Sequence, residues 1–312
     1  MDRHQAPFFA WPSTGSPRVV LWEEDALTGL VRHLPPASVD VVVTSPPYNR
    51  GMKYGVYHDR RPRASYLRWM GDLAGALEPL MSEAGSFFLN IGGGPKDPWL
   101  PWDVAREIGN HFVLQNVIHW VKSIAIDHGT VGQATGLDRD LAVGHYKPLR
   151  SARYLHGAQE YIFHFTKSGE VPLDRLAIGV PYQDTSNVDR WRGGAQGVRC
   201  RGNTWFLPYP TIRSRAEQRP HPASFPPELA ERCLRLHGRA RIRQSVDPFV
   251  GIGSSAIAAL AVDVPFTGFD IDAGYLAIAA QRVRENGRAG PADPRTSRGR
   301  SRSTERPPSP RG

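Results

Sequence analysis

Ser45, Pro46, Pro47 and Tyr48 stand in one unbroken run after Thr44, which follows the apolar stretch of residues 39–43, and their types suit the capture of an amine. In an open α/β sheet, ligands bind beyond the carboxyl ends of strands. Two consecutive prolines at such a place remove two amide donors and fix φ at both positions. The carbonyls of Ser45 and Pro46 are thereby held in a stiff loop, ready to accept hydrogen bonds from a guest. A primary amine on an aromatic ring needs such acceptors, and the Tyr48 ring offers a face on which that ring can stack. A tight turn closing a buried strand draws on the same residue types. The run alone does not separate the two readings.

A second run lies some two hundred residues downstream. Ser245-Val246-Asp247-Pro248-Phe249-Val250-Gly251-Ile252-Gly253-Ser254-Ser255 reads as a short strand, a glycine loop and the start of a helix through residues 256–260. Gly251 and Gly253 allow the backbone to approach a ligand closely, and Ser254 is placed to cap the helix amides. A further strand ends at Asp270, about twenty residues past the first, where an acidic side chain can hold a ribose diol. A Gly-x-Gly turn is a weak signal by itself. With the acid one βαβ unit later it favours a nucleoside-type cofactor.

Together the two runs resemble a known family. Residues 44–49 look like motif IV of the amino-directed DNA methyltransferases, and residues 247–253 look like their S-adenosylmethionine motif. The catalytic loop precedes the cofactor loop, the circularly permuted order of the β class. The resemblance runs from about residue 19 to 286. It includes Phe87-Phe88-Leu89-Asn90-Ile91-Gly92, residues 116–122 with Trp120, the strand Glu160 to Lys167, and Pro220-His221-Pro222-Ala223-Ser224-Phe225-Pro226. Ser254-Ser255 replaces the usual Thr-Thr, which keeps the hydroxyls, and Gln159 stands where a His commonly precedes the Glu, so that position is given no catalytic role. The resemblance implies S-adenosylmethionine as cofactor and double-stranded DNA as substrate. Ser45, Pro46, Pro47 and Tyr48 would be catalytic. Asp270 would hold the ribose, while Asp247, Phe249, Gly251 and Gly253 would contact the amino acid end and backbone of the cofactor, and Phe225 would pack against it. Asp25 would meet the adenine amine, although a helix N-cap explains it equally well. Ser before Pro-Pro-Tyr is the form typical of cytosine N4 enzymes, whereas adenine N6 enzymes more often place Asp or Asn there.

The elements that must position these groups follow from pattern. Alternating strands and helices predict a doubly wound, mostly parallel Rossmann-like sheet with helices on both faces and one antiparallel strand near its edge, and the resemblance implies a small target-recognition insertion. Residues 19–22 read as a strand, followed by a helix with Leu27, Leu30 and Val31 inward. Tyr66, Met70, Leu73 and Leu77 mark a second helix; Leu229, Cys233 and Leu236 a third; Leu276, Ala279, Ala280 and Val283 the last, capped by Asp272. The expected organisation is an N-terminal arm over 1–18, a catalytic domain over 19–286 with insertions at 123–158 and 170–218, and a disordered basic tail over 287–312.

The 312 residues carry a formal net charge of +9, favouring a polyanionic partner. Over residues 285–312, seven arginines against Glu285, Asp293 and Glu305 leave +4, and the body keeps +5. Lys53 and Arg61, in a loop interleaved with Tyr54 and Tyr57, suit a lid that touches phosphate and covers a flipped base; a solvated charged loop fits the same composition. Arg139 and Lys147 fall in the first insertion and Arg192, Arg199 and Arg201 in the second, and all are candidates for DNA contact. The alternative is that Trp205-Phe206-Leu207 is local core and the arginines are phosphate clamps. Two cysteines, Cys200 and Cys233, fit no metal or disulfide framework, and the expected setting is a reducing cytoplasm with no metal and no membrane span. A homodimer and a separate restriction endonuclease sharing the site are further expected partners. RNA or protein-glutamine methylation and a noncatalytic DNA-binding module are the rival functions.

Overall fold

Every residue of Val39–Thr44 is buried, as in a strand covered on both faces. The computed structural model describes residues 6–131, 137–144, 151–182, 197–208 and 224–288. In chain order the elements are β1 Phe9–Trp11, β2 Val19–Glu23, α1 Ala26–His33, β3 Val39–Thr44, α2 Arg63–Leu77, β4 Met81–Ile91, α3 Leu100–Ile108 and β5 Val113–Val121. There follow β6 Ile124–Ile126, α4 His128–Val131, β7 Leu141–Val143, β8 Gln159–Thr166, β9 Val180–Pro181, β10 Val198–Arg199 and β11 Thr204–Phe206. The chain closes with α5 Pro227–His237, β12 Ser245–Asp247, α6 Ser254–Ala261, β13 Phe266–Asp270 and α7 Ala273–Arg288.

Among the described residues nine strands form one sheet in the order β1-β2-β13-β12-β3-β4-β8-β5-β11, and β6-β7 and β9-β10 form two small antiparallel pairs. The pairs from β2 through β13, β12 and β3 to β4 are parallel, as is β5-β11. β8 is reversed between β4 and β5, and β1 is reversed at the opposite edge. Alternation along β3 sends Val41 and Val43 into one core and Val42 into the other, and a register shift between Val39 and Val41 places Val39 with Val42. Helices α5, α6 and α7 cover the first face, with Leu229, Cys233, Leu236, Leu276 and Val283 buried at the positions their spacing predicts. Helices α1, α2 and α3 cover the second through Leu30, Met70, Leu73 and Val104. The stripe expected on α1 is narrower than its sequence suggests: Leu30 is buried, but Val31 is 67% exposed.

This topology sets the location of a ligand site. The neighbouring parallel strands β12 and β3 send their following helices to opposite faces, α6 to one and α2 to the other. Their loops therefore part at the sheet's carboxyl edge and leave a crevice between them. The loop after β3 begins at Ser45, and the loop after β12 ends at Gly253.

Candidate active site

Asp247 lies under both loops. Its carboxylate accepts from Thr44 Oγ1 at 2.6 Å, from Ser255 Oγ at 2.5 Å and from the Phe249 amide at 3.0 Å. It thus joins the last residue of β3 to the first turn of α6 and is 1% exposed. Burial pushes its pKa up to about 6, against the pull of those three donors. Gly253 turns the chain into α6 with φ of +81°, a region L side chains rarely adopt, and a Cβ there would stand 2.9 Å from that of Ala279. Its smallness therefore serves the packing of α6 on α7. Gly253 itself occupies the N-cap, so Ser254 is the first helical residue and does not cap the helix, contrary to the sequence expectation.

Above these residues a cleft of about 930 Å³, counted out to its open mouth, brings parts of the two sequence motifs together, while Pro46, Tyr48 and Gly253 lie outside its lining. Ser45 and Pro47 line one wall, while Phe249, Gly251 and Ser254 line the other, with Asp25, Phe225 and Asp270 on the same surface. Asp270 accepts from the Gly251 and Asp272 amides, both at 2.9 Å, and burial raises its pKa to about 6. Asp25 caps α1 by accepting from the Leu27 amide at 3.0 Å and still faces the cleft, so its two readings coexist. Phe249 meets Trp69 edge to face at 5.3 Å.

Residues 50–61 fold over this same cleft. The buried carboxylate of Asp59 gathers the amides of Asn49, Arg50 and Met52 at 2.8, 3.0 and 2.9 Å, which fixes the loop from within. Tyr54, Tyr57 and Arg61 consequently line the cleft, with the Arg61 guanidinium 4.7 Å from the Trp69 ring centre. The remaining basic candidates are scattered. Lys53 and Arg199 are exposed, Arg139 is exposed beside Asp138, and Lys147 and Arg192 lie outside the described residues. Arg201 is half-buried, its Nε donating to the Ile178 carbonyl at 2.9 Å. Trp205 and Leu207 are core residues beside β5, matching the local-core reading of that segment.

On the far side of Ser45 lies a polar cluster that sequence reasoning missed. Ser45 Oγ is 2.9 Å from Tyr48 Oη, which donates to Glu160 Oε2 at 2.9 Å. Asn90 Nδ2 donates to Tyr48 Oη at 2.8 Å and to Glu160 at 3.0 Å, and Lys122 Nζ pairs with Glu160 Oε1 at 2.8 Å. Burial works to raise the Glu160 pKa, but Lys122, Asn90 and Tyr48 together hold it below the usual carboxylate range. Burial and the Glu160 charge push the Tyr48 phenol well above its ordinary value. The available signal was Glu160 itself, an acid placed at the start of an apolar strand. Tyr66 donates to the Pro47 carbonyl at 2.8 Å and so steadies the proline pair from α2.

The DNA methylase family of N6 and N4 methyltransferases matches residues 39–281. The chain belongs to this family. The chain is 27% identical over 263 residues to the Type II methyltransferase M.BglII of Bacillus subtilis, a match spanning 80% of this chain and 64% of that one. It is 25% identical over 301 residues to the Type II methyltransferase M.XycI of Xanthomonas campestris pv. cyanopsidis, spanning 85% and 87% of the two chains. Its fold is similar to that of the PvuII DNA methyltransferase (cytosine-N4-specific), with a TM-score of 0.61 at 16% identity over 92% of this chain and 95% of that one. Among the described residues no helix is long and apolar enough to cross a membrane, and no cluster of His, Cys, Asp and Glu could hold a metal ion.

Proposed function

We propose that this methylase transfers a methyl group from S-adenosylmethionine to the exocyclic N4 of cytosine in double-stranded DNA. The observation that carries the reading is the shared cleft, in which the Ser45–Pro47 wall faces Gly251 and Asp270. The cleft fits the cofactor: Asp270 stands at a strand end for the ribose hydroxyls, Asp25 for the adenine amine, and Phe225 and Phe249 for apolar contact. S-adenosylmethionine supplies a methyl group on a positively charged sulfur, a leaving group that needs no acid to depart. The order of the two loops along the chain is that of the permuted β class.

The target nitrogen is hidden in the duplex, so its nucleotide must rotate out of the stack before it can reach Ser45. Tyr48 offers a face for the base, and the Ser45 hydroxyl and Pro46 carbonyl accept from its amino group. That orientation aims the nitrogen lone pair into the cleft. Proximity and alignment supply most of the rate, since a well-placed pair of reactants can gain on the order of 7–11 kcal/mol over free encounter. Serine at position 45 supports cytosine. Lys53, Arg139 and Arg199 are exposed and offer charge to phosphate, and a separate endonuclease sharing the site would make this chain the protective half of a restriction pair.

Sequencing that detects modified bases, run on DNA from cells expressing the chain, tests the proposal. N4-methylcytosine at one short fixed sequence, absent when Ser45→Ala is expressed, is the expected result. N6-methyladenine there would overturn the choice of base, and unmodified DNA would overturn the proposal.

A further inference from the structure

The cluster behind Ser45 is built with a direction. β8 is the reversed strand of the sheet, so its first residues lie where β4 and β5 end, and Glu160 meets Asn90 and Lys122 at the edge that carries the catalytic loop. Gly92 makes room for it: a Cβ at that position would stand 2.7 Å from Glu160 Cγ. The glutamate is nearly enclosed, and among the described residues Lys122 just past β5, Asn90 from β4 and Tyr48 from the loop are the charged and polar groups bonded to it.

The donors can be counted. The Tyr48 hydroxyl has two acceptors in reach, the Asn90 backbone carbonyl at 3.3 Å and Glu160 Oε2 at 2.9 Å, and the shorter, charge-assisted bond takes its single proton, because an ionised carboxylate only accepts. Asn90 Nδ2 also donates to Tyr48 Oη, which leaves that oxygen one remaining lone pair. The contact between Ser45 Oγ and Tyr48 Oη at 2.9 Å is therefore made by the serine proton. Ser45 then presents an acceptor to the cleft and no donor, which is what an amino group requires. A neutral amide at position 160 could donate to Tyr48 instead, allowing the chain to reverse and turn the Ser45 proton toward the amine.

We infer that the Lys122–Glu160 ion pair sets the direction of a hydrogen-bond chain ending at Ser45, and that Glu160 receives through Tyr48 and Ser45 the proton the target amine loses. The inference rests on the methyl-transfer reading above. As the N–C bond forms, the S–C bond breaks and its electron pair stays on sulfur. One N–H proton passes to Ser45 Oγ, the serine proton to Tyr48 Oη, and the tyrosine proton to Glu160 Oε2. Glu160 then releases it to solvent, so the products are a methylated amine, a neutral thioether and one proton. Glu160 acts through Tyr48 and is a positioning residue that also ends the proton's path.

The test is a double-mutant cycle of single-turnover methyl transfer to DNA, with cofactor affinity by calorimetry and thermal midpoint measured on each protein. Glu160→Gln is expected to slow transfer by about 100-fold, within the range for positioned proton transfer, while the cofactor Kd changes by less than about twofold. Tyr48→Phe severs the same chain, so adding Glu160→Gln to it should cost less than about twofold more. Should Glu160→Gln fail to fold because Lys122 is left unpaired, Glu160→Gln with Lys122→Met takes its place in the cycle. Wild-type rates in Glu160→Gln, or losses that multiply in full, would overturn the inference and leave the methylation reading standing. A wild-type protein that transfers no methyl to DNA would bring down that reading, and the inference with it.

Discussion

Replacing Asp247 by Asn isolates the buried carboxylate that ties the two loops together. Its pKa of about 6, against 3.8 ordinarily, means that the folded protein prefers the protonated form. Stability from this group is therefore full well below pH 4 and is lost as pH rises from there through about 6. The loss is about 3 kcal/mol, taking 1.36 kcal/mol for each pH unit of displacement. Asn keeps the acceptor that Thr44 and the Phe249 amide both use, since those two bonds share Oδ1. Its amide can meet the Ser255 hydroxyl, which turns to accept. No buried donor is then orphaned, a change that would otherwise cost about 1–3 kcal/mol for each group. Urea unfolding of both proteins without cofactor at half-unit steps from about pH 4 to pH 8 gives two stability curves. Glu160, lowered, is common to both and cancels in the difference, and Asp270, raised in the same direction, cancels apart from its charge coupling to Asp247. The wild type should lose about 2.5 kcal/mol relative to Asp247→Asn across the range, since about 0.5 kcal/mol of the full amount is already gone at pH 4. Parallel curves, or a variant several kcal/mol less stable at pH 8, would refute the assignment of Asp247 as a buried structural acid.

Ser45→Ala should abolish most turnover while leaving calorimetric cofactor affinity nearly intact, and Asp270→Ala should do the reverse; equal loss of binding in both would contradict the division between the two walls. Tyr48→Ala should be slower in single-turnover transfer than Tyr48→Phe because it loses the face as well as the hydroxyl, yet Phe should also fall well below wild type, since the hydroxyl is bonded to Ser45 and Glu160. Gly253→Ala should destabilise the protein by about 1–3 kcal/mol in denaturant unfolding, the cost of a non-glycine residue held at positive φ, with Ala279 crowding the new methyl; an unchanged midpoint would contradict that packing.

Much of this site was legible in sequence because its two halves are local. The Pro-Pro-Tyr loop and the glycine turn each lie within a dozen residues, directly after apolar strands, so strand ends and loop chemistry can be read together. Asp270 follows by the length of one βαβ unit. Glu160 and Lys122 escaped because their meaning depends on β8 running backwards between β4 and β5, a fact of pairing that spacing along the chain does not encode. Ser254 was misread for a smaller reason: a left-handed Gly253 takes the cap position, and a single residue of register decides the difference. The spacing of Leu27, Leu30 and Val31 marks the helix, yet the eight residues of α1 bury only Ala26, Gly29 and Leu30. The loop of residues 50–61 reads as charged and mobile, but Asp59 binds three of its amides and lays its tyrosines over the cofactor side of the cleft.

The central claim is that the proline loop and the glycine loop bring a methyl donor and a DNA amine into one cleft. Incubating the purified chain with S-adenosylmethionine labelled on its methyl carbon and with double-stranded DNA, then digesting the DNA to nucleosides for mass analysis, measures this directly. The account predicts label in N4-methylcytosine, lost with Ser45→Ala. Label absent from DNA, or carried equally well by the Ser45→Ala protein, would contradict it.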